Sequence, residues 1–141
     1  MNIFLAGIIQ GSIVEEAIHA QDWREPITEL INKYIPDAKI YCHYTQHPNS
    51  ITYTGGKIRD TFEDGVQRCR DADLIIAYLP SASMGTSIEI YEAYNTGTKV
   101  LTITKMTANW VVKLYSHEIF LNLSELESFL QAGKLEDLMR N

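Results

Sequence analysis

The chain has 141 residues, of which 45% are hydrophobic and 21% charged, which suits one domain with a sizeable core and excludes a disordered chain. A net charge of −6 argues against tracking a nucleic-acid backbone, since surfaces that follow phosphates need clustered Lys and Arg. A small anionic ligand stays open, because a helix N-terminus and one or two cations suffice for it.

Residues 2–6 read as a short apolar first strand, and residues 7–12 as a glycine-bounded loop after it. Met1 leads straight into this strand, and the apolar run is too short for a secretory core. No stretch approaches transmembrane length. Cys42 and Cys69 are the only cysteines, expected as buried free thiols in a reducing compartment, so a cytoplasmic protein is expected.

Residues 12–21 are ambiguous. Asp22 is placed to cap a helix in which Trp23, Ile27, Leu30, Ile31 and Tyr34 share a face, with Pro36 beyond its end. Residues 38–44 read as the second strand, and residues 45–56 as a long polar loop leaving it at the edge where a substrate base could be covered. His43 and His47 are close in sequence but have no third partner at metal-ligand spacing, so no metal is expected. Residues 57–70 read as a helix with Ile58, Phe62, Val66 and Cys69 on one stripe.

Residues 74–79 form an uninterrupted apolar run, the mark of a strand buried on both faces of a parallel sheet. Pro80, Ser81, Ala82 and Ser83 make a turn, and residues 84–95 follow as a helix closed by Gly97. A loop in that setting lies at the carboxyl edge of the sheet, with free N–H groups at the helix start. The loop at residues 7–12 faces it across the same crevice. Residues 99–104 are a fourth strand, Thr107 is placed to cap a short helix through Leu114, and residues 118–121 are a fifth strand. Ser124 with Glu127 forms a capping box for a helix that Gly133 stops, and a last short helix follows. No repeat or linker interrupts the alternation. It implies a single α/β domain over residues 1–141, a flavodoxin- or Rossmann-like three-layer sandwich with a five-stranded parallel sheet in the order 2-1-3-4-5.

Ser83-Met84-Gly85-Thr86-Ser87-Ile88-Glu89, after an apolar strand and before Ala93 and the strand opening at Lys99, resembles the nucleoside 2-deoxyribosyltransferase family. The likeness extends to Phe4-Leu5-Ala6-Gly7 and more loosely to about residue 103. It implies that Glu89, four residues after Gly85, is a nucleophile, and Ser83 resembles the branch acting on nucleoside 5'-monophosphates. A carboxylate at the anomeric carbon stabilises the developing positive charge and can trap it as an ester, without a cofactor. The departing base needs a proton, for which Asp64 or Asp60 are the candidates. Gly7, Ile8, Gly11, Ser83, Gly85 and Ser87 are expected to hold the substrate, with Lys57 and Arg59 adding charge. The resemblance also implies a homodimer or higher homo-oligomer in which Asn109 completes a neighbour's site.

Three positions depart from that pattern. Phe4 stands where the family has a Tyr, Gly7-Ile8-Ile9-Gln10-Gly11 lacks the Ser and Arg of the monophosphate branch, and Gly65 stands where its catalytic Asp is expected. The leading expectation is an enzyme, an N-glycosidase or 2-deoxyribosyltransferase acting on a nucleoside or nucleotide. The alternative is a non-catalytic nucleotide-binding module on the same fold. A signalling domain would need acidic residues after the first strand, where Gly7 and Ile8 stand.

Overall fold

Five apolar segments become strands, β1 (Asn2–Gly7), β2 (Lys39–Cys42), β3 (Leu74–Tyr78), β4 (Lys99–Ile103) and β5 (Glu118–Phe120). In the computed structural model, which describes residues 1–141, every strand pair is parallel and the order is β2-β1-β3-β4-β5. Leu5 pairs with Cys42 on one side and Ile76 on the other, and Gly7 pairs with Tyr78, so β1 ends beside β3 at the carboxyl edge. Seven helices follow the chain: α1 (Arg24–Tyr34), α2 (His43–Gln46), α3 (Gly56–Asp71), α4 (Met84–Asn95), α5 (Trp110–Tyr115), α6 (Leu123–Gln131) and α7 (Lys134–Arg140).

Strand alternation divides the core in two. Ile3, Leu5, Leu74 and Ile76 point to one face, where Ile27 and Ile31 of α1, Leu126 and Leu130 of α6 and Leu135 of α7 cover them. Phe4, Ala6, Ile75 and Ala77 point to the other, beneath Cys69 of α3, Ile90 and Ala93 of α4 and Val112 of α5. Right-handed crossovers put α3, α4 and α5 together, because each carries the chain in the same direction along the sheet, α3 passing over β1 from β2 to β3 and the others joining adjacent strands. Both cysteines are free and buried, as expected.

Several local expectations shift. The second strand ends at Cys42 and not at residue 44, because β2 is an edge strand paired only with β1, and the chain folds at once into the single turn of α2. Asp22 caps nothing: Trp23 occupies the N-cap of α1 and no side chain accepts there. At α5 the cap is Asn109, not Thr107, its Oδ1 accepting the N–H groups of Val111 and Val112. The capping box of α6 lies two residues earlier than Ser124 and Glu127. Asn122 accepts from the Glu125 N–H at 3.0 Å, and the Glu125 carboxylate accepts from the Leu121 N–H at 2.7 Å. Gly97 has φ +92° just beyond α4 and Gly133 has φ +69° between α6 and α7, the left-handed conformations that end helices.

Candidate active site

The crevice outside the ends of β1 and β3 holds a cavity of about 320 Å³ on the α3–α4 face of the sheet. Gly7, Gln10 and Gly11 form one wall, and Ser83, Gly85, Thr86 and Glu89 form the opposite one. His43 enters from the end of β2, Ser50 and Ile51 from the following loop, and Phe62 and Gly65 from α3. Glu89 and His43 are the only ionisable side chains on these walls, and no Lys or Arg lines them.

Each wall follows from its sequence. Gly7 has room for nothing more: a Cβ there would collide with the indole of Trp23 and lie 2.9 Å from the Tyr78 carbonyl oxygen. Gly11 sits at φ +58°, which turns the loop back over the cavity. Ser83, 8% exposed, is the N-cap of α4, its Oγ accepting from the Thr86 N–H at 3.4 Å and donating to Thr86 Oγ1 at 3.0 Å. That capped start fixes the second turn of α4, from which Glu89 faces the cavity while Glu92 points outward to Arg70 at 2.7 Å.

The Glu89 carboxyl is closely surrounded by protein atoms, and burial pushes its pKa up to about 8 against a smaller pull from the Arg24 charge. Arg24 itself is 8% exposed and has no carboxylate in contact. Its Nε donates to Gln21 Oε1 at 2.9 Å, its Nη1 donates to Cys42 Sγ at 3.0 Å, and its guanidinium lies 4.1 Å from the Trp23 ring centre. Burial lowers the Arg24 pKa, and Cys42 and Glu89 oppose the shift. Burial likewise lowers the His43 pKa, with His47 and Arg24 adding to the effect.

The residues expected to form the site divide clearly. Glu89, Ser83, Gly85, Gly7 and Gly11 meet at one cavity. Asp60 and Asp64 do not reach it: both are exposed on α3, and the Asp64 carboxylate holds Arg68 at 2.8 Å. Ile8 is buried and its N–H donates to the Tyr78 carbonyl at 3.2 Å, so it offers a ligand no donor. Ser87 donates to the Ser83 carbonyl at 2.7 Å and stays off the wall. Asn109 caps α5 away from this cavity. Lys57 lies over the Tyr53 ring and Arg59 faces Glu63, so neither brings charge to the walls. His43, weighed in the sequence only as a metal ligand with His47 and placed inside the second strand, joins the wall because β2 ends at Cys42.

No family model and no curated protein matches the sequence. Among solved structures, the chain is similar to a 2-deoxyribosyltransferase from the psychrotolerant bacterium Bacillus psychrosaccharolyticus, with a TM-score of 0.69 and 14% identity over 90% of each chain. It is also similar to a conserved protein from Enterococcus faecalis V583, with a TM-score of 0.61 and 15% identity, over 94% of this chain and 98% of that one. The likeness is one of fold. It bears out the Rossmann-like α/β architecture with its 2-1-3-4-5 sheet.

A larger cavity of about 630 Å³ opens at the same sheet edge on the opposite face, between α1 and α6. Its charged lining residues, Asp22 and Lys105, are exposed, and it holds no buried carboxyl. No group of three or more His, Cys, Asp or Glu side chains is placed to hold a metal ion, and no helix is long and apolar enough to cross a membrane.

Proposed function

We propose that this chain cleaves the N-glycosidic bond of a nucleoside or nucleoside 5'-monophosphate through Glu89, delivering the 2-deoxyribosyl group to water or to a second base. The observation that carries the reading is the Glu89 carboxyl, the one carboxyl on the walls of a cavity at the carboxyl edge of β1 and β3. Departure of the base leaves positive charge on the anomeric carbon, which a carboxylate stabilises and captures as a glycosyl ester. With its pKa raised to about 8 the group is partly protonated at neutral pH, and its ionised fraction is the form that meets the positive charge developing in the transition state. The fold shared with a 2-deoxyribosyltransferase supports the same chemistry.

Walls without Lys or Arg favour a neutral nucleoside over its monophosphate, for which only the N–H groups at the start of α4 would remain. A homo-oligomer belongs to the proposal. Met84, Ile88 and Tyr91 make an exposed apolar stripe along α4 beside exposed Phe62 of α3, and Met84 and Phe62 also line the cavity. Sedimentation equilibrium is expected to show a dimer or larger species that Ile88→Glu weakens, and a monomeric parent would remove this part.

The deciding test is free-base release, followed by chromatography, from ribo- and deoxyribonucleosides and their 5'-monophosphates, with and without a second base. Release is expected from the parent and a loss of at least about 10³-fold in Glu89→Ala, the scale of removing a nucleophile. Dependence on the second base would identify a transferase. No release from any compound, with equal nucleotide retention by parent and variant, would leave a binding module.

A further inference from the structure

We infer that His43 is the proton-transfer residue of this site, donating to the departing base and then withdrawing a proton from the incoming nucleophile. The inference rests on the glycosyl-transfer reading of Glu89. Its grounds are placement and elimination. Besides Glu89, His43 is the only ionisable side chain on the cavity wall, whereas Asp60 and Asp64 face solvent on α3. The imidazole occupies space that α3 leaves open at Gly65, where a Cβ would stand 3.2 Å from His43 Nδ1. That Nδ1 is buried and has no hydrogen-bond partner in the chain. With Nδ1 closed off against α3, the ring nitrogen left to meet a molecule in the cavity is Nε2. The ring also lies 5.1 Å from the His47 ring, tilted 37° to it, and His47 Nδ1 lies 3.2 Å from the Tyr53 hydroxyl, so α2 and the following loop hold its orientation.

The steps balance. In the first, the Glu89 carboxylate bonds to the anomeric carbon, the C–N bond breaks, and the leaving nitrogen keeps that electron pair and takes the proton of the His43 imidazolium. In the second, water or an acceptor base gives its proton to neutral His43 as its oxygen or nitrogen bonds to the same carbon. Glu89 leaves as a carboxylate, and both residues are restored.

The charges around both groups set the pH behaviour. His43 faces His47 just past the end of α2, Arg24 from α1 and Asp64 from α3, with burial holding it below its ordinary value. Glu89 faces Arg24 from α1 and Cys69 from α3, and titrates near 8. Base departure needs Glu89 ionised and His43 protonated together. The population of that form is highest between the two pKa values and falls above about pH 8, where Glu89 is already ionised and the imidazolium continues to vanish.

The test compares kcat/KM for a 2-deoxynucleoside with that for 4-nitrophenyl 2-deoxyribofuranoside, whose leaving group departs without a proton. In the parent, nucleoside cleavage is expected to fall above about pH 8 while nitrophenyl cleavage rises to a plateau there. His43→Gln is expected to lower the nucleoside-to-nitrophenyl ratio by about 10²–10⁴-fold, and added imidazole to recover part of it in His43→Ala. Glu89→Ala removes both activities. Parent profiles that rise together, or an unchanged ratio in His43→Gln, would overturn the role of His43 and leave Glu89 standing. A parent that cleaves neither compound would overturn both.

Discussion

Glu89 is held under electrostatic tension, because a carboxyl that titrates near 8 in the fold titrates near 4.5 when exposed. Between those values the folded state binds more protons than the unfolded one, so Glu89 lowers stability progressively as pH rises from about 4.5 to about 8. Glu89→Gln removes that dependence. Thermal unfolding is expected to show the variant more stable than the parent by on the order of a few kcal/mol above pH 8, with the gap closing toward pH 4. A gap that stays constant across this range would mean that the carboxyl is solvated. In the sequence, the strand, turn and helix placed the loop before this residue at the carboxyl edge, but helical spacing left Glu92 as open as Glu89, and only the family resemblance of residues 83–89 singled Glu89 out. The direction of Asp64 and Asp60 was not legible, since a helix pattern identifies the buried stripe but leaves several exposed rows, and α3 turns theirs away from the cavity. His43 was hidden by the length of β2, whose early end at Cys42 changes a strand residue into part of the cavity wall.

At the scale of elements, helix starts show how neighbouring cap signals compete. Ser124 with Glu127 and Asn122 with Glu125 both fit the capping pattern, and either start turns the same apolar face of α6 inward, so the apolar spacing does not choose between them. The start at Asn122 places Leu126, Phe129 and Leu130 in the core and leaves Ser124 exposed. Asn122→Ala is therefore expected to cost about 1 kcal/mol in urea unfolding, and Ser124→Ala only a few tenths. The reverse ranking would place the cap where the sequence pattern first indicated. Ser83 is a cap of the same kind with a second consequence, since it sets the rotation of α4 and with it the direction of Glu89.

For the whole molecule, the sheet order could be derived because strands buried on both faces demand covering layers and right-handed crossovers leave few ways to supply them. The chain satisfies that demand with α1, α6 and α7 on one side and α3, α4 and α5 on the other, which leaves the crevice at the ends of β1 and β3 open. Chemistry was less legible than architecture, as the same fold leaves open which loops supply the remaining site groups. On the proposed reaction Glu89 becomes covalently attached to the sugar. The most direct measurement of that attachment is peptide mass spectrometry of the protein quenched in acid during turnover of a 2-deoxynucleoside. The expected result is a 2-deoxyribosyl adduct on the peptide containing Glu89, absent from Glu89→Gln. Base release without that adduct, or an adduct on another residue, would contradict the account.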